Sequence, residues 1–326
     1  MKTKETLLFL PQGVYDLLPE FAKKLRFFEN TIRSILTRSG YEEVVPPLFE
    51  YLDNFLTAAG KVKNQEDIIK FVDLASGRLI GLRHDFTPQV VRLVASHFRF
   101  TTKPRRLFYI GPIYRHARGN KNAEVYQAGA ELIGPSDIRS DAEILDLTQR
   151  IIAAMGVEEF TIYVSDARFM RNIFHMSQLS IQDKEELKIA LKQRNGEYIE
   201  FLVKRSLLDE CIKEVLIELP FLFGTIEDLN KRSKRFEWPA LRKTIEELDH
   251  LMSLVKEMNA IRNNIIIDLG SYPKHDYYTG VFFEVHLPKV LRNIALGGRY
   301  DQLFSFFGEN VPAVGVGLTL SDLIYV

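Results

Sequence analysis

Two polar side chains stand out in the stretch RRLFYIGPIYRHARGNKNAEVYQAGAELIG, residues 105–134. Gln127 and Glu131 sit four positions apart in an otherwise mostly apolar run, 125–133. Side chains alternate across a strand, so residues four apart share a face. A carboxylate and an amide on one sheet face, opposite an arginine, can hold a small zwitterion. The carboxylate takes an ammonium and the arginine takes an anionic group. The loop at 115–122 supplies the cations: Arg115, His116, Arg118 and Lys121, with one Gly and two Asn. A solvated hairpin with incidental polar residues has the same composition, and this stretch alone does not separate the two readings.

Placing those residues requires two strands around the loop, an apolar and aromatic one over 107–114 and a second over 125–133. The flanking segments alternate between helix and strand signals. Pro19 and Glu20 suit a first helical turn, and Phe21, Leu25, Phe28, Ile32 and Ile35 keep helical spacing until Gly40. A strand is expected over 41–45, broken by Pro46 and Pro47. Residues 67–73 and 78–83 alternate like strands around Ala75, Ser76 and Gly77, a hairpin pattern. Thr87 then reads as the cap of a helix, with Pro88 in its first position and Val90, Val91, Val94 and Phe98 on its apolar face. A further amphipathic helix is expected over 141–155, closed by Gly156, and a strand over 160–164.

From about residue 169 to 258 the sequence is charge-rich and helix-like throughout, which reads as a helical insertion. Within it KRSKRFEW, 231–238, is basic with two aromatics. It can touch phosphate, but a charge run of this kind is more often a solvated helix end, and we adopt that reading. Strand patterns return after 262. A buried strand is expected over 263–270. Another is expected over 275–287, with Tyr277, Thr279, Val281, Phe283 and Val285 on one face and Tyr278 on the other. The order strands, helical insert, strands argues for an α+β core on a mostly antiparallel sheet flanked by helices.

Lys+Arg and Asp+Glu both number 43, so net charge gives no pointer to nucleic acid, although a local basic patch stays open. The single cysteine, Cys211, excludes an internal disulfide and a cysteine-rich metal site, and its apolar surroundings read as core. No apolar run approaches the length of a membrane span, and the N-terminal MKTKETLLFLPQG is too short for a signal peptide, so a cytoplasmic location is expected. There is no P-loop, no GxGxxG after a strand, no HExxH and no GxSxG. Gly315-Val316-Gly317 lacks the dinucleotide context, and the seven histidines are scattered. No metal and no cofactor is expected.

Four segments occur in one order that resembles the catalytic core of class II histidyl-tRNA synthetases. GYEEVVPPLFE, 40–50, resembles motif 1, the dimer-forming strand. LRHDFTPQVVR, 82–92, resembles the amino-acid-binding loop, and IYRHARGNKNAEVYQAGAELIG, 113–134, resembles motif 2. HDYYTGVFFEV and LGGRYDQL, within 275–303, resemble the histidine-specific segments. The resemblance implies a six-stranded antiparallel class II core over 1–168 and 259–326, a helical insertion over 169–258, and a homodimer. It further implies a histidine pocket. Asp85 matches the acid that holds the substrate ammonium, with Thr87 beside it. Gln127 and Glu131 match the polar pair that grips the ligand. Tyr277 and Tyr278 match the tyrosines of the imidazole site, and Arg115 matches the motif 2 arginine that contacts the carboxylate and the ATP α-phosphate.

The residues for adenylation do not carry over. Ala117 stands where the family has the adenine-reading glutamate, and Val125 where it has the stacking phenylalanine. Pro273 replaces the arginine that drives adenylation, and Asp322 replaces the motif 3 arginine. Losing one cation that stabilises developing phosphate charge typically lowers the rate about 100-fold or more. Lys274 and Arg292 are the nearby cations that remain as substitutes. No anticodon-binding domain is expected after residue 326, which leaves tRNA without its second anchor. A histidine-pocket fold stripped of adenylation chemistry resembles the ATP phosphoribosyltransferase regulatory subunits. That resemblance implies a chain that is not itself an enzyme. It would activate the catalytic subunit within a hetero-octamer and mediate feedback by L-histidine in the first step of histidine biosynthesis. A truncated or degenerate histidyl-tRNA synthetase is the alternative.

Overall fold

The computed structural model describes residues 9–58, 65–98, 103–117, 122–176, 179–258, 264–288, 290 and 292–325. The chain forms two compact units: Met1–Pro135 with Asp301–Val326, and Ser136–Tyr300.

The first unit opens with helix α1 (Pro19–Arg38), which buries Leu25, Phe28, Ile32 and Leu36 on one stripe. It stops as the sequence predicts. Gly40 takes the left-handed conformation at φ +82°, Gly40 N–H donates to the Thr37 carbonyl, and Tyr41 N–H reaches back to that of Leu36. This paired closure satisfies the last carbonyls of the helix. Strand β1 (Glu42–Glu43) is shorter than the expected 41–45, although Val44 N–H still donates to the Phe108 carbonyl at 2.8 Å before Pro46 and Pro47 break the run. Then come β2 (Phe49–Tyr51), α2 (Leu52–Ala58), β3 (Lys70–Val72) and β4 (Leu79–Leu82). They form a separate antiparallel sheet in the order β2-β4-β3. Helix α3 (Thr87–His97) leads to the long hairpin of β5 (Arg105–Tyr114) and β6 (Glu124–Ile133).

The second unit starts with α4 (Ile138–Ala154) and β7 (Thr161–Asp166). The helical stretch follows: α5 (Ala167–Met176), α6 (Ile181–Lys192), α7 (Gly196–Lys204) and α8 (Glu210–Glu218). After the two-residue β8 (Phe223–Gly224) come α9 (Ile226–Arg232) and α10 (Pro239–Met258). Local signals set these helices off from one another. Ser180 caps α6 by accepting from Asp183 N–H at 3.0 Å, and Thr225 with Asp228 forms a reciprocal cap on α9. In the basic run at 231–238 the aromatics Phe236 and Trp238 are buried, so they present no stacking platform. Cys211 sits half-buried on α8 rather than in the core, since Ile212, Val215 and Leu216 take the buried stripe. Strands β9 (Asn264–Asp268), β10 (Val281–His286) and β11 (Asn293–Arg299) complete the unit in the order β11-β10-β7-β9-β8. A buried ion pair fastens α4 to β11: Arg299 Nε and Nη2 donate to both Asp141 oxygens at 2.9–3.2 Å.

The chain re-enters the first unit at Asp301 and ends with β12 (Ala313–Thr319) and α11 (Leu320–Leu323). Strand β12 pairs antiparallel with β6, so the sheet of this unit runs β1-β5-β6-β12. Among the described residues, the pairings within each unit are antiparallel apart from β1 with β5 here and β7 with β9 in the second unit, in keeping with an α+β fold. The six strands implied by resemblance are exceeded: among the described residues the first unit contributes four to this strand order and the second unit five. Residues 275–280 are not strand. Tyr278 N–H turns back to the His275 carbonyl at 3.4 Å, and extended pairing begins only at Val281, after Gly280. Among the described residues no helix is long and apolar enough to cross a membrane.

Candidate functional site

Register fixes which side chains of the first unit share a face. Glu131 stands opposite Leu107 on one side and Gly315 on the other, and Gln127 stands between Gly111 and Thr319. Gly129, opposite Tyr109 and Gly317, lies midway. Gln127 and Glu131 therefore point the same way, as their spacing predicts. Glycine stands between them at Gly129 and on one side of each at Gly111 and Gly315, while Leu107, Tyr109 and Thr319 carry side chains on the same face. A Cβ at Gly315 would fall 1.7 Å from Glu131 Oε2, and one at Gly129 would fall 2.3 Å from the Tyr109 ring, which fills that place. The space for the Glu131 carboxylate exists because residue 315 has no side chain.

Glu131 is 1% exposed and Thr87 8%. Thr87 Oγ1 donates to Glu131 Oε1 at 2.8 Å. This corrects the cap expectation: Phe86 holds the cap position, and Thr87 already lies in the first turn of α3. Asp85 does the capping instead, its Oδ1 accepting Thr87 N–H at 3.1 Å. A carboxylate there is favoured by the helix N-terminus, and it leaves the threonine hydroxyl for Glu131. Arg115 follows β5 directly. Its N–H donates to the Ala123 carbonyl at 2.8 Å and its Nε to the His84 carbonyl at 3.0 Å, which ties the hairpin to the segment carrying Asp85. His116 is exposed, its N–H donating to the Asp67 carbonyl at 2.9 Å. Arg118 and Lys121 lie outside the described residues.

Asp85, Thr87 and Glu131 are thus linked by hydrogen bonds, Arg115 is anchored one residue from Asp85, and Gln127 shares the Glu131 face. Tyr277 and Tyr278 belong to the second unit, in a turn. Tyr278 is buried and Tyr277 half-buried. The His275 ring stacks on Tyr277 with centroids 5.0 Å apart, Tyr277 meets Tyr278 edge-on at 5.0 Å, and Tyr278 stacks on Phe282 at 6.0 Å. Arrangements of this kind favour aromatic or imidazole partners.

Several contributors were missed in the sequence. Phe86 stacks on Tyr109 at 4.2 Å. Arg83 is buried, donates to the Pro112 and Pro46 carbonyls at 2.8–3.0 Å, and lies 4.0 Å over the Phe86 ring. Burial lowers its pKa from the usual arginine value. Glu50, equally buried, accepts from Gln89 and Arg92 at 2.7–2.8 Å. The one available signal was Gly315 and Gly317 alternating in a strand pattern, which marks close backbone approach rather than a nucleotide loop. Near the turn, burial and the Glu124 carboxylate push the Tyr114 phenol up to about 12.

The positions of the missing adenylation residues are equally plain. Pro273 is buried, and Asp322 lies in the first turn of α11. Lys274 reaches Asn293 Oδ1 at 3.5 Å. Among the described residues no cluster of His, Cys, Asp and Glu has the makings of a metal site. The first unit brings together Asp85, Thr87, Glu131 and Arg115, an arrangement whose chemistry can hold a cationic or zwitterionic group.

The histidyl-tRNA synthetase family model matches residues 13–323. An ATP phosphoribosyltransferase regulatory subunit from Thermoanaerobacter sp. (strain X514) is 32% identical over 316 residues, 96% of this chain and 81% of that protein. The crystal structure of an ATP phosphoribosyltransferase regulatory subunit/histidyl-tRNA synthetase from Bacillus halodurans C matches with a TM-score of 0.87 at 26% identity, over 98% of this chain and 83% of that one. Histidyl-tRNA synthetase from Nostoc sp. PCC 7120 shares the fold, with a TM-score of 0.81 at 19% identity over 98% of this chain and 74% of that one.

Proposed function

We infer that this chain, which belongs to the histidyl-tRNA synthetase family and within it to the ATP phosphoribosyltransferase regulatory subunits, works by binding and not by chemistry of its own. It docks the ATP phosphoribosyltransferase catalytic subunit, a glycosyltransferase that joins ATP to phosphoribosyl pyrophosphate, and favours its active conformation. The class II core, 1–168 with 259–326, carries the helical insertion 169–258 and forms a homodimer. With catalytic subunits it builds a hetero-octamer in the cytoplasm, and tRNA is not a partner.

L-Histidine is the ligand of the retained pocket. Asp85 and Glu131 take its ammonium, Arg115 its carboxylate, and Thr87 and Gln127 complete the polar grip. Feedback then follows from linkage: if histidine inhibits by favouring one state of the complex, that state binds histidine better.

The observation that carries this reading is the contrast between grip and chemistry. Glu131 is buried against Thr87, whereas a buried proline and an acid, Pro273 and Asp322, stand where adenylation needs arginines. A carboxylate near α11 repels the phosphates that adenylation must hold.

The test combines the chain with a short-form catalytic subunit from the same source and follows phosphoribosyl-ATP. Strong activation that histidine reverses is expected. Histidine-dependent ATP–pyrophosphate exchange by the chain alone, without activation of the partner, would instead assign it to the synthetases.

A further inference from the structure

At the far end of α3 from Thr87 lies a partly open cavity of about 80 Å³. Its apolar walls include Val94 and Phe98, with Phe304 from the turn at Leu303–Phe307. Three charged residues also line it: Lys103, Arg105 and Glu309. No ion pair joins any of the three to another described residue. Arg105 begins β5, and its guanidinium carbon lies 4.5 Å over the Phe98 ring. The ring holds the cation in place but accepts none of its in-plane N–H bonds. Arg105 Nε is buried with no hydrogen-bond partner. A buried donor without an acceptor is unfavourable, and a guanidinium presents its donors in a fork that matches a carboxylate.

We propose that this cavity binds a small organic monocarboxylate, its anion on Arg105 and Lys103 and its short apolar body against Phe98 and Phe304. The three charges sum to one positive, which one carboxylate neutralises. Size sets the body. A dry cavity of about 150 Å³ accommodates benzene, so about 80 Å³ suits a chain of a few carbons. Glu309 lines the same cavity, and its negative charge opposes that of the ligand. The site is separate from the proposed histidine pocket and does not depend on it.

Titration calorimetry of the full chain with butyrate, acetate and inorganic phosphate tests this. Butyrate binding should saturate at one per chain with a Kd of order 1 mM, tighter than acetate, with phosphate weaker than both. Arg105→Gln should weaken butyrate at least about tenfold. Glu309→Gln should tighten it about threefold or more, because a like charge leaves. If Arg105→Gln fails to fold by circular dichroism, the Glu309→Gln result decides alone. Absence of saturable butyrate binding overturns the site. Phosphate binding as tight as butyrate overturns the apolar component, and weakening by Glu309→Gln overturns the monocarboxylate assignment in favour of a zwitterion.

Discussion

Thr87→Val replaces a hydroxyl by a methyl of the same shape and should destabilise the first unit out of proportion to its size. In the native protein the hydroxyl donates to Glu131 at 2.8 Å, with donor and acceptor residues 8% and 1% exposed. Water cannot replace the lost donor at such burial, and the valine methyl leaves a carboxylate oxygen facing carbon. Hydrogen bonds to charged groups contribute about 1.5–3 kcal/mol, and the buried setting puts this one in that range. The folding constant should fall about 10- to 150-fold, since each 1.4 kcal/mol is a factor of ten. Urea denaturation followed by fluorescence and by far-UV circular dichroism measures the change, with Thr87→Ser as the control that keeps the donor. Coincident curves from the two probes show whether the units unfold together. A Thr87→Val midpoint within error of wild type, at unchanged slope, would refute the assignment of Thr87 as the donor that holds Glu131.

Gly315→Ala should be among the most damaging small substitutions, by about 1–3 kcal/mol or more, since its methyl meets Glu131 at 1.7 Å and the Ala130 carbonyl at 2.8 Å. Gly196→Ala meets only Phe221 at 3.6 Å and should be neutral or stabilising by up to about 1 kcal/mol, so the pair separates clash from glycine loss in one denaturation series. Asp141→Ala leaves Arg299 buried without its carboxylate and should cost about 3–5 kcal/mol, whereas Glu247→Ala, whose Arg168 partner is half exposed, should change stability by less than about 1 kcal/mol. The Tyr114 phenol has a folded pKa of about 12 against 10.0 unperturbed, so its contribution is full below pH 10 and lost as pH rises through 12. Tyr114→Phe should therefore flatten the decline of stability across that window, as read from urea midpoints at stepped pH.

The parts of the fold that follow a local period were legible. The face shared by Gln127 and Glu131, the hairpin around Gly77, and α1 with its stop at Gly40 all come from spacing and punctuation that register and burial reproduce. Where two local signals competed, the sequence misled. Thr87-Pro88 has the composition of a cap and first position, but Asp85 lies two residues earlier and takes the amide instead. Tyr277 and Tyr278 alternate like strand residues, yet the turn to the His275 carbonyl delays the ladder to Val281. Contacts between distant positions left no local trace. Arg299 and Asp141 are 158 residues apart, and nothing in either neighbourhood announces the pair. Arg83 looked like any strand-end cation, although its buried guanidinium braces the Phe86–Tyr109 stack beside the candidate site.

The glycines beside Glu131 also bear on what this sheet face is built for. Each strand glycine gives up about 0.5–1 kcal/mol relative to alanine, and Gly111, Gly129, Gly315 and Gly317 share one face of β5, β6 and β12. A buried carboxylate adds a further desolvation penalty unless it is well partnered. A sheet face serving only to pack would be filled with β-branched side chains. Here Gly315 leaves the room that the Glu131 carboxylate occupies, and Gly129 the room for the Tyr109 ring. Pro273 and Asp322, the positions where the resemblance places the adenylation arginines, sit on other segments than Thr87 and Glu131. On the proposed function, binding and chemistry are carried by different elements, so a chain can keep the first without the second.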